Sequence, residues 1–249
     1  MTRWKLILEY DGAPFVGWQR QTNGRSVQVA LERAVYRFTQ EEAVVYGAGR
    51  TDSGVHALGQ VAHVDITKGV DANTVRDAIN FHLKPDPISV LSAESISDDF
   101  DARFSATRRL YLYRILARRP PPAVDAGRVW HVTRDLDVGA MHAAAQVLVG
   151  YHDFTSFRAK DCQSASPVKT LNRLDVRQVG QEIHIDAVAP SFLHHQVRNF
   201  AGTLKLVGEG KWRREDVAWA LDARDRGAAG PTAPAAGLFL VKVSYDSGY

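Results

Sequence analysis

Cysteine is almost absent from this sequence: Cys162 stands alone among 249 residues. One thiol cannot close an internal disulfide, and without a CxxC pair it makes no thiolate zinc site. A reducing compartment, the cytoplasm, is therefore expected. Long apolar runs are missing too. None approaches the roughly 20 residues a membrane-spanning helix needs, so no membrane partner is expected. The opening MTRWKLILEYDG has neither the apolar core nor the cleavage site of a secretory leader. Low-complexity tracts are also lacking. Hydrophobic residues at 45% and charged residues at 24% form an ordinary globular composition, which sets disorder aside. Neither sign of charge dominates: 31 Lys and Arg stand against 28 Asp and Glu, a formal net charge of +3. Where the charges lie says more than their sum.

The pattern that is present mixes strands and helices. Residues 3–10 alternate as a strand, closed by the turn signal Asp11-Gly12. Ser26 stands where it would cap a helix whose apolar face is Val27, Ala30, Leu31, Ala34, Val35 and Phe38. A glycine-rich stretch over 47–59 precedes a strand over 61–66, a helix over 73–83 and a strand over 88–96. Residues 109–117 read as a long strand and Pro120–Pro122 as a break. Then come a helix over 138–149 closed by Gly150 and a hairpin with arms 171–179 and 182–188 turning at Gly180. Helices over 192–207 and 214–222 and a strand over 238–245 complete the chain. Strands with crossing helices in both halves predict an α+β fold with a mainly antiparallel central sheet flanked by helices, in two similar halves, 1–104 and 105–249.

Between Ala102 and Pro120 lie six arginines (103, 108, 109, 114, 118 and 119) and no carboxylate, with Phe104, Tyr111 and Tyr113 among them. That mixture suits phosphate contacts and base stacking, and equally a solvated strand face. The stretch Gly47-Ala48-Gly49-Arg50-Thr51-Asp52-Ser53-Gly54-Val55-His56-Ala57 is more informative. Gly49 and Gly54 have P-loop spacing, but Val55-His56 stands where Lys-Ser/Thr would be needed. Gly47 and Gly49 begin a dinucleotide fingerprint, but Asp52 occupies its third glycine. Both phosphate readings fail. There remain an arginine and an aspartate on a tight loop between strands, which can hold a carboxylate at a cleft wall or simply make a turn.

The segment GAGRTDSGVHALGQVAHVD resembles the active-site segment of the TruA family of tRNA pseudouridine synthases, and five further blocks follow in order. Tyr10-Asp11-Gly12, Phe15 and Gly17-Trp18-Gln19 resemble the opening block, with Ser26-Val27-Gln28 and Leu31-Glu32 as its first helix. Ala102-Arg103-Phe104-Ser105-Ala106 leads to Tyr111-x-Tyr113, and residues 152–158 resemble the mid-chain block. Phe192-Leu193 with Val197-Arg198-Asn199, and Ala233-Pro234-Ala235 with Gly237-Leu238, complete the set. Three positions depart from the pattern: Asp101 replaces a usual His, Gln196 a usual Met, and Lys84 a usual Pro. The first is expected to alter a local RNA contact and the second to repolarise a helix face.

The resemblance implies the pseudouridine synthase fold and a cofactor-free isomerisation without metal: the C1′–N1 bond of uridine breaks and C1′ rejoins the base at C5. Asp52 is implied as the nucleophile; attack at C1′, attack at C6 and base catalysis through a glycal all remain open. Tyr111 is implied to stack on the detached base, Arg198 to pair with the aspartate, and Arg50 to fill the space left by the extruded nucleotide. A pure RNA binder would have no need of that carboxylate near phosphates. His194 and His195, adjacent on the expected helix, would point in different directions and make a weak metal site. His56 and His63 read as structural or RNA-facing. The implied substrate is the tRNA anticodon stem-loop at uridines 38, 39 and 40, recognised mainly by shape. The implied assembly is a homodimer bridged by tRNA.

Overall fold

The computed structural model describes residues 1–245 of the chain; the last four residues of the expected second half lie outside the described residues. In chain order the elements are β1 (Thr2–Tyr10), α1 (Val27–Thr39), β2 (Tyr46–Gly47), β3 (His56–Ile66), α2 (Ala72–Leu83) and β4 (Ile88–Ile96). There follow β5 (Arg108–Ala117), β6 (Trp130–Val132), α3 (Val138–Ala145), β7 (Gly150–Asp153), β8 (Val168–Leu171), β9 (Arg173–Val179) and β10 (Glu182–Ala189). The series ends with α4 (Gln196–Gly208), α5 (Arg214–Ala223) and β11 (Leu238–Ser244). Strands and helices are mixed as the α+β reading requires. The chain divides into two compact units, one formed by Met1–Thr107 with Phe239–Tyr249 and the other by Arg108–Leu238.

In the first unit β1 lies between β3 and β4 and is antiparallel to both, with Leu6 opposite Ala62 on one side and Ala93 on the other. Its alternating residues Trp4, Leu6, Leu8 and Tyr10 are buried, as a strand with one core face demands. The short β2 pairs antiparallel with β3, and β11 joins β3 in parallel, Phe239 opposite His56. Ser26 does cap α1, its Oγ accepting from Val29 N at 3.3 Å, and Val27, Ala30, Leu31, Ala34 and Val35 are buried as expected. Phe38 is only half-buried. The strand β3 starts five residues before the expected Val61. Gly59 hides that start from a pattern reading. A Cβ there would lie 2.3 Å from the Val241 carbonyl oxygen, so the glycine serves a close backbone approach inside the strand rather than a loop.

In the second unit β10 lies between β5 and β9, antiparallel to both, with Tyr111 opposite Ala187. β9 and β10 form the expected hairpin, turning at Gly180 with φ +57°. β6 adds to β5 in parallel, and β7 and β8 make a separate two-stranded sheet; the sequence pattern gave no sign of either. The helix expected over 192–207 begins only at Gln196, because His195 takes a left-handed conformation at φ +63°. Along α4 a Cβ on Gly202 would stand 1.7 Å from the Pro231 carbonyl oxygen, which fixes how closely the 230–233 segment lies on the helix.

Candidate active site

Arg50, Thr51 and Asp52 lie on the loop between β2 and β3 in the first unit. The loop is held through Thr51, which is buried. Its carbonyl oxygen accepts from Trp18 N at 3.0 Å, and its hydroxyl meets the Tyr10 hydroxyl at 2.8 Å. Gly17, at φ +114°, forms a single antiparallel bridge with Asp52, and a Cβ there would come within 2.7 Å of the Thr51 carbonyl oxygen. The turn that carries Asp52 closes through backbone, Val55 N donating to Asp52 O at 3.1 Å. Ser53 Oγ donates to Phe15 O at 3.3 Å. The opening block Tyr10–Trp18 thus serves as the cradle of the Arg50–Asp52 loop. Asp52 is half-buried and Arg50 exposed.

Below the loop the polar groups are buried and satisfied. Burial pushes the Tyr10 phenol up to about 12, against the opposing effect of its bonds to Thr51 and Gln60, so it stays neutral at physiological pH. Gln60, with no solvent exposure, donates from Nε2 to Gly49 O at 2.7 Å and accepts at Oε1 from Gly49 N at 3.3 Å. His56 stacks on Phe239 with centroids 4.7 Å apart, and its Nδ1 accepts from Gly12 N at 3.0 Å. The same Nδ1 lies 3.1 Å from the Asp11 carboxylate. His63 Nδ1 accepts from Ala102 N at 3.0 Å, and burial lowers its pKa. Both histidines therefore have structural contacts, one of the two roles expected for them.

Tyr111 and Arg198 belong to the second unit. Tyr111 is buried on the same face of β5 as Tyr113, edge-on to Phe192 with centroids 5.2 Å apart. The Tyr113 hydroxyl donates to Pro234 O at 2.8 Å; burial drives its pKa up while the nearby Arg198 charge opposes the shift. Arg198, in the first turn of α4, donates from Nε to Ala233 O at 2.8 Å, and its own carbonyl accepts from Ala233 N at 3.1 Å. The neighbouring Asn199 is fully buried, its Nδ2 donating to Phe157 O at 2.7 Å while Oδ1 accepts from Thr232 and Arg226. The long-helix, mid-chain and C-terminal blocks are thus tied together by two adjacent residues.

Asp101, the first departure from the family pattern, caps a tight turn, its Oδ1 accepting from Arg103 N at 2.7 Å and Phe104 N at 2.8 Å. Gln196, the first residue of α4, is buried, and its Oε1 accepts from Leu193 N at 2.8 Å. His194 and His195 precede the helix instead of lying on it, and their rings are only 3.9 Å apart. Among the six arginines, Arg109 is buried with a bond to Pro190 O, and Arg114 is paired with Glu182 at 2.6 Å and Asp125 at 3.1 Å. Arg118 donates to Gln181 Oε1 at 2.8 Å and to the Pro120 and Pro121 carbonyls, so a phosphate track would rest on Arg103, Arg108 and Arg119. The residues that pattern reading passed over are Gln60, Asn199 and the Tyr10 hydroxyl. A polar residue within an otherwise apolar strand or helix was the available signal, since buried amides need partners.

The family profile described as tRNA pseudouridine synthase matches residues 6–105 and 144–246. The chain belongs to the tRNA pseudouridine synthase family. It is 64% identical over 245 residues to the tRNA pseudouridine synthase A of Rhodospirillum centenum, covering 98% of this chain and all of that protein. To the enzyme of the same name from Paramagnetospirillum magneticum it is 58% identical over 247 residues, covering 99% of this chain and 96% of the other. To that of Parvibaculum lavamentivorans it is 55% identical over 246 residues, covering 99% of this chain and all of the other. The synthase profile spans both the Arg50–Asp52 loop and Arg198 but not Tyr111, which lies in its gap.

Proposed function

We propose that this protein isomerises uridine to pseudouridine in the anticodon stem-loop of tRNA, at positions 38, 39 and 40, with Asp52 as its catalytic nucleophile. The C1′–N1 bond breaks, C1′ bonds to C5, the C5 proton leaves and N1 takes up a proton. The product is an isomer, and the reaction draws on neither a cofactor nor a metal. The observation that carries the assignment to Asp52 is the holding of its loop. Thr51 is fastened by Trp18 and Tyr10 while the next residue, a carboxylate, keeps partial exposure. A fixed carboxylate can meet C1′ or C6 of a bound nucleotide without first being ordered.

The other roles rest on the family resemblance. Tyr111 stacks on the detached base, a contact worth about 1–3 kcal/mol. Arg198 pairs with the catalytic carboxylate, and Arg50, exposed on the same loop as Asp52, occupies the place of the extruded nucleotide. The protein acts as a homodimer bridged by tRNA, in the cytoplasm where tRNA is met. Among the described residues no helix is long and apolar enough to cross a membrane. Incubation with unmodified tRNA followed by chemical mapping of pseudouridine tests the assignment. Modification confined to uridines 38–40 is expected, and its absence, or its appearance at other positions alone, would refute it. Light scattering should give twice the 27.5 kDa chain mass.

A further inference from the structure

β2 runs against β3 with Tyr46 opposite His63 and Gly47 opposite Ala62, and Ala48 N still donates to Val61 O at 2.7 Å. Strand β2 itself ends at Gly47. Gly49 is met not by the backbone of residue 60 but by the carboxamide of Gln60, which donates to Gly49 O at 2.7 Å and accepts from Gly49 N at 3.3 Å. The side chain thus gives the Gly49 main chain a two-point partner, donor and acceptor together. The Gln60 main chain is engaged on the other edge of β3, in register with Leu8 of β1. The carboxamide also reaches the Tyr10 hydroxyl at 3.5 Å, and Tyr10 in turn holds Thr51 at 2.8 Å.

We propose that Gln60 is a positioning residue for the isomerisation: its carboxamide clamps the main chain of Gly49 at two points and so fixes where Arg50, Thr51 and Asp52 stand. This rests on the assignment of Asp52 to catalysis. Gln60 touches no reacting atom and acts only through Gly49 and Tyr10. The geometry requires one donor and one acceptor side by side, aimed at the N–H and C=O of one residue, Gly49. A carboxamide supplies that pair at every pH; a carboxyl group supplies it only when protonated.

The test follows from that difference and uses the full chain. Gln60→Met preserves length and apolar contact but removes the paired donor and acceptor. Its single-turnover rate, per molecule competent to bind tRNA, should fall on the order of 100-fold, as for a small misplacement of a reacting group, with tRNA affinity little changed. Gln60→Glu should be as slow at about pH 8. Relative to the unaltered protein at the same pH it should recover as pH falls towards about 6, because burial raises a carboxyl pKa. The titratable or charged groups on β1, β2, β3 and the loop they hold are Arg3, Lys5, Glu9, Tyr10, Tyr46, His56, His63, Asp65, Arg50 and Asp52, and normalising at each pH removes their own titration. A normal rate for Gln60→Met, or a pH-independent ratio for Gln60→Glu, would overturn the proposal. So would failure of both to fold while Tyr10→Phe reacts normally, since the role would then be structural. Asp52→Asn separates the two levels. An inactive Asp52→Asn beside a normal Gln60→Met removes only Gln60, whereas turnover by Asp52→Asn removes both.

Discussion

Thr51 carries much of the load at the residue scale, because its hydroxyl and carbonyl fasten the loop to Tyr10 and Trp18. Tyr10→Phe strands the buried Thr51 hydroxyl and should cost about 1–3 kcal/mol in stability. It should also change the alkaline limb of stability. The folded-state pKa of Tyr10 is raised to about 12, above the unfolded value, so its contribution is complete below about pH 10 and lost as pH rises towards 12. Urea unfolding at pH 8 and pH 11 checks this: the variant should lose less stability between the two than the unaltered protein, and equal losses would contradict it. Tyr113 shifts in the same direction and remains in both proteins. Arg198→Met removes the bond to Ala233 and, on the proposed pairing, a partner of the carboxylate. Single-turnover rate should fall more than tRNA affinity; near-normal turnover with an unshifted pH–rate profile would sink the pairing. The sequence singled out Asp52 and Arg198 through the motifs they stand in. Gln60 and Asn199 stayed hidden because a motif does not say which amide is buried or what it bonds.

At the scale of elements, the loop is held in place by neighbours distant in sequence. Gly17 bridges Asp52 and has no room for a side chain against Thr51. Gly17→Ala combines an unfavourable φ with a clash and should displace the loop, lowering single-turnover rate by on the order of 100-fold. A folded, fully active variant would count against the cradle. Periodicity located most elements because an amphipathic pattern reports its own buried face. It failed where geometry overrode pattern. Gly59 masked the start of β3, and the left-handed His195 delayed α4 by four residues from the expected Phe192. The two parallel pairings, β11 with β3 and β6 with β5, were invisible because alternation does not name a strand's neighbour. The return of Phe239–Tyr249 to the first unit was hidden for the same reason.

For the whole molecule, a net charge of +3 is small, so tRNA affinity depends on where cations are exposed. Arg103 and Arg119 are exposed, whereas Arg109 and Arg114 are engaged within the protein. Replacing Arg103 and Arg119 together by Ala should flatten the fall of log K with log salt by roughly one unit per lost phosphate contact, leaving the melting temperature unchanged. An unaltered slope would place the RNA path elsewhere. The central claim, that Asp52 performs the chemistry, is tested most directly by the single-turnover yield of pseudouridine from Asp52→Asn with enzyme in excess over tRNA. The amide keeps the shape of the side chain and removes its charge and nucleophilicity. The account predicts a folded variant that binds tRNA at least as tightly, since a negative charge near phosphates is gone, and forms no detectable pseudouridine. Substantial product from a correctly folded Asp52→Asn protein would contradict it.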